Sequence, residues 1–161
     1  MAFAFPAAEV ADDEGMFMAV RDAALDGYAA LDCGATSSIG GLTAVQALAD
    51  FGERSLGRTT AVDPRVQKTF RFGNGSSQTC LSKATLPLAI GKQTGTVDMN
   101  VLDAPAPALL GMDFLTKSGA VVDFSANTVT FKKISPEKHR LKKLESGHVA
   151  LRLTGSAAAP R

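Results

Sequence analysis

The sequence predicts an all-β domain with one or two short helices, and three observations predict it. Its apolar runs are short, and Gly, Pro, Asn or Asp close most of them, which is the signature of strands joined by turns. With 15 Gly, nine Phe, one Tyr and no Trp, the chain has to build its core from Val, Leu, Ala and Phe and turn often. At 161 residues, 45% hydrophobic and 20% charged, it can bury one sizeable core.

Residues 1–15 mix Ala and Pro with Glu9, Asp12, Asp13 and Glu14, show neither period, and read as an acidic leader. A folded domain is expected over 16–131 and a basic tail with a terminal strand over 132–161. Within the domain, 16–20 is a short apolar strand, Asp26-Gly27 a turn, and 28–31 a buried strand, together a hairpin. Leu42, Val45 and Leu48 have the spacing of a short amphipathic helix. Gly52 and Gly57, with Glu53 and Arg54 between them, lack phosphate-loop spacing and read as a surface loop.

Phe70-Arg71-Phe72 and the Ser- and Thr-rich run 76–79 flank Gly73-Asn74-Gly75, the pattern of a β-hairpin with a glycine tip. Residues 86–90 and 96–102 pair around Gly91-Lys92, and Pro105 and Pro107 end the second arm. A short strand, 108–111, leads to one or two helical turns at 112–117, with Gly119 as the C-cap. The hairpin 120–124 with 128–131 turns through Ser125-Ala126-Asn127, and 149–153 is a last strand that could pair across a dimer.

Global chemistry excludes several functions. The formal net charge is +1, so nothing overall calls for nucleic acid, and the basic cluster in 132–143 reads as a solvated face. No apolar stretch approaches a membrane span. Residues 1–8 lack a basic n-region and are interrupted by Pro6, so a cytoplasmic chain with Cys33 and Cys80 as reduced thiols is expected. His139 and His148 have no Cys or carboxylate at ligand spacing; no metal and no cofactor is expected, and both histidines read as exposed tail residues.

The most informative motif is Asp32-Cys33-Gly34-Ala35-Thr36, delivered by the apolar run 28–31. An Asp-x-Gly triplet alone is a common turn, but here it precedes the Gly-tipped hairpin and then Leu109-Leu110-Gly111-Met112-Asp113-Phe114. In that order the chain, over 16–131, resembles the retropepsin family of aspartic peptidases, above all the proteases of LTR retrotransposon polyproteins. The resemblance implies a closed β-barrel of the acid protease fold and a homodimer without cofactor. It implies catalysis by Asp32, with Cys33, Gly34, Ala35 and Thr36 supporting the catalytic loop. It further implies a substrate-binding flap at Phe72, Gly73, Asn74 and Gly75, and a strand Leu109-Leu110-Gly111 beside that loop. The expected activity is endoproteolysis of extended polypeptide segments, with polyprotein processing as the setting.

The residues are compatible with those roles. Gly34 lets backbone amides approach the carboxylate, and Ala35 leaves room for a substrate backbone. Such chemistry needs two carboxylates on one water, yet the chain has one copy of the motif, so two subunits must each donate an Asp32. Two departures matter. Cys33 stands where the family has Thr or Ser, a weaker donor that would either soften the dimer, confer redox sensitivity or simply pack. Thr36 and Met112 replace the acidic residue and Arg of the retroviral members. A second reading therefore stays open: a catalytically weak or inactive module of the same fold that dimerises or binds peptides.

Overall fold

A computed structural model of the chain describes residues 23–66, 68–71, 75 and 77–155. In order these form strands β1 (Tyr28–Leu31) and β2 (Ile39–Gly41), helix α1 (Leu42–Leu56), β3 (Ala61–Asp63), β4 (Thr69–Arg71), β5 (Ser77–Ile90), β6 (Gln93–Leu102) and β7 (Leu109–Leu110). Helix α2 (Met112–Ser118) follows, then β8 (Ala120–Asp123), β9 (Thr128–Phe131), β10 (Lys138–Arg140), β11 (Lys142–Lys143) and β12 (Val149–Arg152). Strand dominates, as the turn-rich composition predicts. The expected leader and strand at 16–20 lie outside the described residues, as do Phe72, Gly73 and Asn74 at the hairpin tip.

The described strands do not close into the barrel that the resemblance implies. One sheet runs β11-β12-β1-β7-β2-β6-β5-β3, with β4 also on β5, and a second runs β10-β9-β8. The two end strands of the large sheet, β3 and β11, are short and each pairs with one neighbour, so the path stays open. Its middle is mixed: β1 runs parallel to β7, β2 parallel to β6, and β2 antiparallel to β7. That arrangement brings the segments after β1 and after β7 to the same place.

Three of the predicted hairpins form; the one expected between 16–20 and 28–31 is not borne out, because both edges of β1 are taken, by β12 and by β7. Ile90 pairs with Gln93 around Gly91, whose φ of 59° suits a residue without Cβ. Phe70 pairs with Gln78, so β4 and the start of β5 are the arms of the Gly-tipped hairpin. Asp123 shapes the turn after β8 by accepting bonds from Ser125 N–H, Ser125 O–H and Ala126 N–H, and Asn127 completes it with φ 53°.

Helix α1 corrects the sequence reading. It spans 15 residues, because the inward stripe Ala44, Val45 and Leu48 continues through Gly52. Gly52 is thus a buried helix residue against Pro87 rather than part of a surface loop. Gly57 is the left-handed C-cap, φ 66°, its N–H returning to the Glu53 carbonyl. Leu86, Met99, Val101, Leu110, Phe131 and Leu151 fill the main core, to which α1 and α2 contribute Val45, Leu48, Phe114 and Leu115.

The segment after Phe131 also joins the fold. Strand β12 forms where the last apolar run predicts it, but it pairs inside the subunit, antiparallel to β1, with Ala30 opposite Ala150. His139, expected at the surface, is fully buried beside Phe131, ring centroids 6.1 Å apart. His148 is half-buried.

Candidate active site

Strand β1 ends at Leu31 and hands Asp32 to a loop, residues 32–38, that runs back to β2. The Asp32 N–H donates to the Leu110 carbonyl at 2.9 Å, which continues the parallel β1/β7 ladder one residue past the strand. The Asp32 carboxylate is half-exposed, and its Oδ1 accepts the Gly34 N–H at 2.8 Å. The Asp32 carbonyl accepts the Ala35 N–H at 3.2 Å, so the loop turns tightly about this residue.

The loop is fastened on its other side to the start of α2. The Ala35 carbonyl accepts the Met112 N–H at 2.7 Å, and the Thr36 carbonyl accepts the Asp113 N–H at 3.1 Å. Gly111 makes that approach possible: a Cβ there would lie 2.7 Å from the Ala35 and Ser37 carbonyl oxygens. The sequence-predicted groups Asp32 to Thr36 and Leu109 to Gly111 are therefore brought together.

Three polar residues complete the site, and sequence reasoning did not single out two of them. Ser38 is fully buried. Its O–H donates to Asp113 Oδ1 at 2.8 Å, its Oγ accepts the Gly111 N–H at 3.0 Å, and its N–H donates to the Asp113 carboxylate, 3.0 Å from either oxygen. Asp113 Oδ1 also accepts the Phe114 N–H at 2.7 Å. Asn100, on β6, donates both its backbone N–H and its side-chain amide to the Ser38 carbonyl, at 2.9 and 3.1 Å. Asp113 is thus a structural acceptor at the start of α2. The available signal for this network was weak: a Ser two residues past the motif and an Asp two past the second glycine are too common to stand out.

Cys33 is half-buried and packs against the main core. Of the expected flap, Gly75 is described, with φ 85°, and the arms of the hairpin place it beyond β4 and β5. Lys68, at the base of that hairpin, donates to the Ser37 hydroxyl at 3.0 Å and so ties the hairpin to the Asp32 loop. Its ammonium also stands over the Phe70 ring, 5.4 Å from the centroid.

The electrostatic surroundings of Asp32 include one histidine. Burial lowers the pKa of His148, and the negative charge of Asp32 acts on it in the opposite sense. Among the described residues no cluster of three His, Cys, Asp or Glu side chains could hold a metal ion. No described helix is long and apolar enough to cross a membrane. Chemically, the chain presents a solvent-accessible carboxylate on a loop tied down by hydrogen bonds, with the nearby Asp113 already engaged by several donors. No protein-family model matches the chain, and no curated protein matches it.

Proposed function

We propose that the chain is an aspartic endopeptidase of the retropepsin kind that acts as a homodimer. The observation that carries this reading is the setting of Asp32: at the end of β1, bonded by the Gly34 amide, on a loop fastened to β7 and Gly111. An isologous contact between two such loops places the two Asp32 carboxylates at the twofold axis. Two like charges that close cannot both ionise, so the pair shares one proton. The ionised Asp32 takes a proton from water as the water attacks the scissile carbonyl, and the protonated one donates to the carbonyl oxygen. Collapse of the tetrahedral intermediate then returns a proton to the leaving amine.

The substrate is an extended polypeptide lying between the 69–79 hairpin and the Asp32 loop, held by main-chain bonds with alternate side chains in pockets. Polyprotein processing of the retrotransposon type and a cytoplasmic setting are parts of the same proposal, supported by the motif order alone. Cys33 favours a second reading, a dimerising or peptide-binding module with relaxed catalytic demands, since a thiol is a poor cross-dimer donor.

One experiment separates the two. Purified wild-type chain and Asp32→Asn are incubated with a peptide library across acidic to neutral pH, with and without pepstatin. The peptidase reading expects pepstatin-sensitive cleavage that falls by at least about 10²-fold in the variant, the order supplied by general acid–base catalysis. Cleavage unchanged by Asp32→Asn would overturn it, and a dimer without cleavage would favour the binding module.

A further inference from the structure

We propose that His148 is a positioning residue for Asp32, its protonated ring holding the carboxylate as the anion and thereby setting the acid side of the activity profile. This rests on the reading of Asp32 as the reacting carboxylate. The geometry begins with register. Strand β12 pairs antiparallel with β1, Tyr28 opposite Arg152, Ala29 opposite Leu151 and Ala30 opposite Ala150. The paired residues end there; the same register carried one residue past each strand would put His148 across from Asp32. Directly opposite residues of an antiparallel pair present their side chains to the same face.

The position of His148 is held from both sides. Strand β11 pairs with β12, Lys143 opposite Val149, and the Leu144 N–H then donates to the His148 carbonyl at 2.8 Å. The turn between them is closed by the Gly147 N–H on the Leu144 carbonyl at 2.9 Å. The His148 Nδ1 lies 3.0 Å from the Ser146 hydroxyl, which orients the ring. Other charged groups stand nearby: Lys143 and Glu145 are exposed on β11 and the turn, and the Lys142 ammonium sits over the Tyr28 ring. Burial lowers the pKa of the His148 ring, and the negative charge of Asp32 opposes that lowering.

The consequence for rate follows from charge. In acid His148 is a cation, and a cation beside the Asp32 pair favours loss of the first proton, so the active singly protonated pair persists to lower pH. At higher pH the ring is neutral and leaves the second ionisation of the pair unaffected. Linkage makes the effect reciprocal: the carboxylate must raise the midpoint of His148 as much as the imidazolium lowers that of the carboxylate.

The test uses the full chain and two readouts. In the first, kcat/KM for an extended peptide is followed against pH for wild type, His148→Gln and His148→Lys. Expected is an acid limb moved up by about 0.5–1 pH unit in His148→Gln, the size of a partly screened charge contact. His148→Lys should restore the acid limb and move the alkaline limb down, because its charge does not titrate away. In the second, the His148 ring is titrated by NMR in wild type and in Asp32→Asn, where its midpoint should drop by the same amount. A midpoint indifferent to Asp32→Asn overturns the pairing, whatever the activity. Limbs unmoved in both His148 variants overturn its role in rate. Absence of any Asp32-dependent cleavage overturns the peptidase reading and the rate claim together, while the NMR titration still decides the pairing.

Discussion

At the scale of single residues, Ser38 and His139 show opposite ways of burying a polar group. Ser38 is buried and fully used, giving one hydrogen bond to Asp113 and taking one from the Gly111 amide. Ser38→Ala removes both and leaves the buried Gly111 N–H without its acceptor, which costs about 1–3 kcal/mol. Urea unfolding should show a loss of that size, with Asp32-dependent cleavage reduced because the loop it sits on is no longer clamped. His139 is fully buried with neither ring nitrogen bonded, so burial lowers its pKa from 6.5, with Glu137 acting in the opposite sense. The sign is fixed by proton counts. Below 6.5 the unfolded chain binds a proton that the folded chain resists, so stability is full above 6.5 and is lost as pH falls through the lower folded value. The urea midpoint of wild type should therefore drop between pH 7 and acid more than that of His139→Leu; equal drops would exclude this source.

At the scale of elements, α1 offers a test of packing against propensity. Gly52 lies mid-helix, where Ala is intrinsically better by about 1 kcal/mol. A Cβ there would stand 2.8 Å from Cγ of Pro87, a ring that cannot swing away. Overpacking of this kind costs about 1–3 kcal/mol, so Gly52→Ala should lower stability by roughly 1 kcal/mol net despite its propensity. A thermal melt shifted upward would refute the argument. The same residue explains why the helix was legible only in part. Leu42, Val45 and Leu48 carry a visible stripe, but Gly52 and Gly57 look like loop punctuation until Pro87 and the C-cap are in place. The hairpins around Gly91 and Asn127 were legible because turn chemistry is local. Strand β2 was not, since Ile39-Gly40-Gly41 has no alternation, and it extends because both its edges are occupied, by β6 and β7. The Asp32 loop and Gly111 could be read from their motif order, whereas Ser38 and Asn100 acquire meaning only when the fold closes the 62-residue separation between them.

At the scale of the molecule, the question is whether residues beyond Phe131 are an appendage or part of the folding unit. Composition favours an appendage, because residues 132–143 are rich in Lys and Arg and read as solvated. The fold places β12 between β11 and β1, so it covers the edge of the strand that carries Asp32. Leu141, Leu144, Val149, Leu151 and Leu153 are all buried. Each such side chain contributes about 1.5–3 kcal/mol, on the order of 10 kcal/mol together. That is comparable to the whole net stability of a domain, about 5–15 kcal/mol. A chain ending at Phe131 would also expose the free edge of β1, an open template for strand pairing between molecules. Truncation after Phe131 should therefore abolish cooperative thermal unfolding and yield aggregates. A sharp transition and a dispersed amide spectrum in the 1–131 chain would show that the domain folds without β12. In that case the covering of β1, and with it the register that sets His148 against Asp32, would be a later addition to an already folded site.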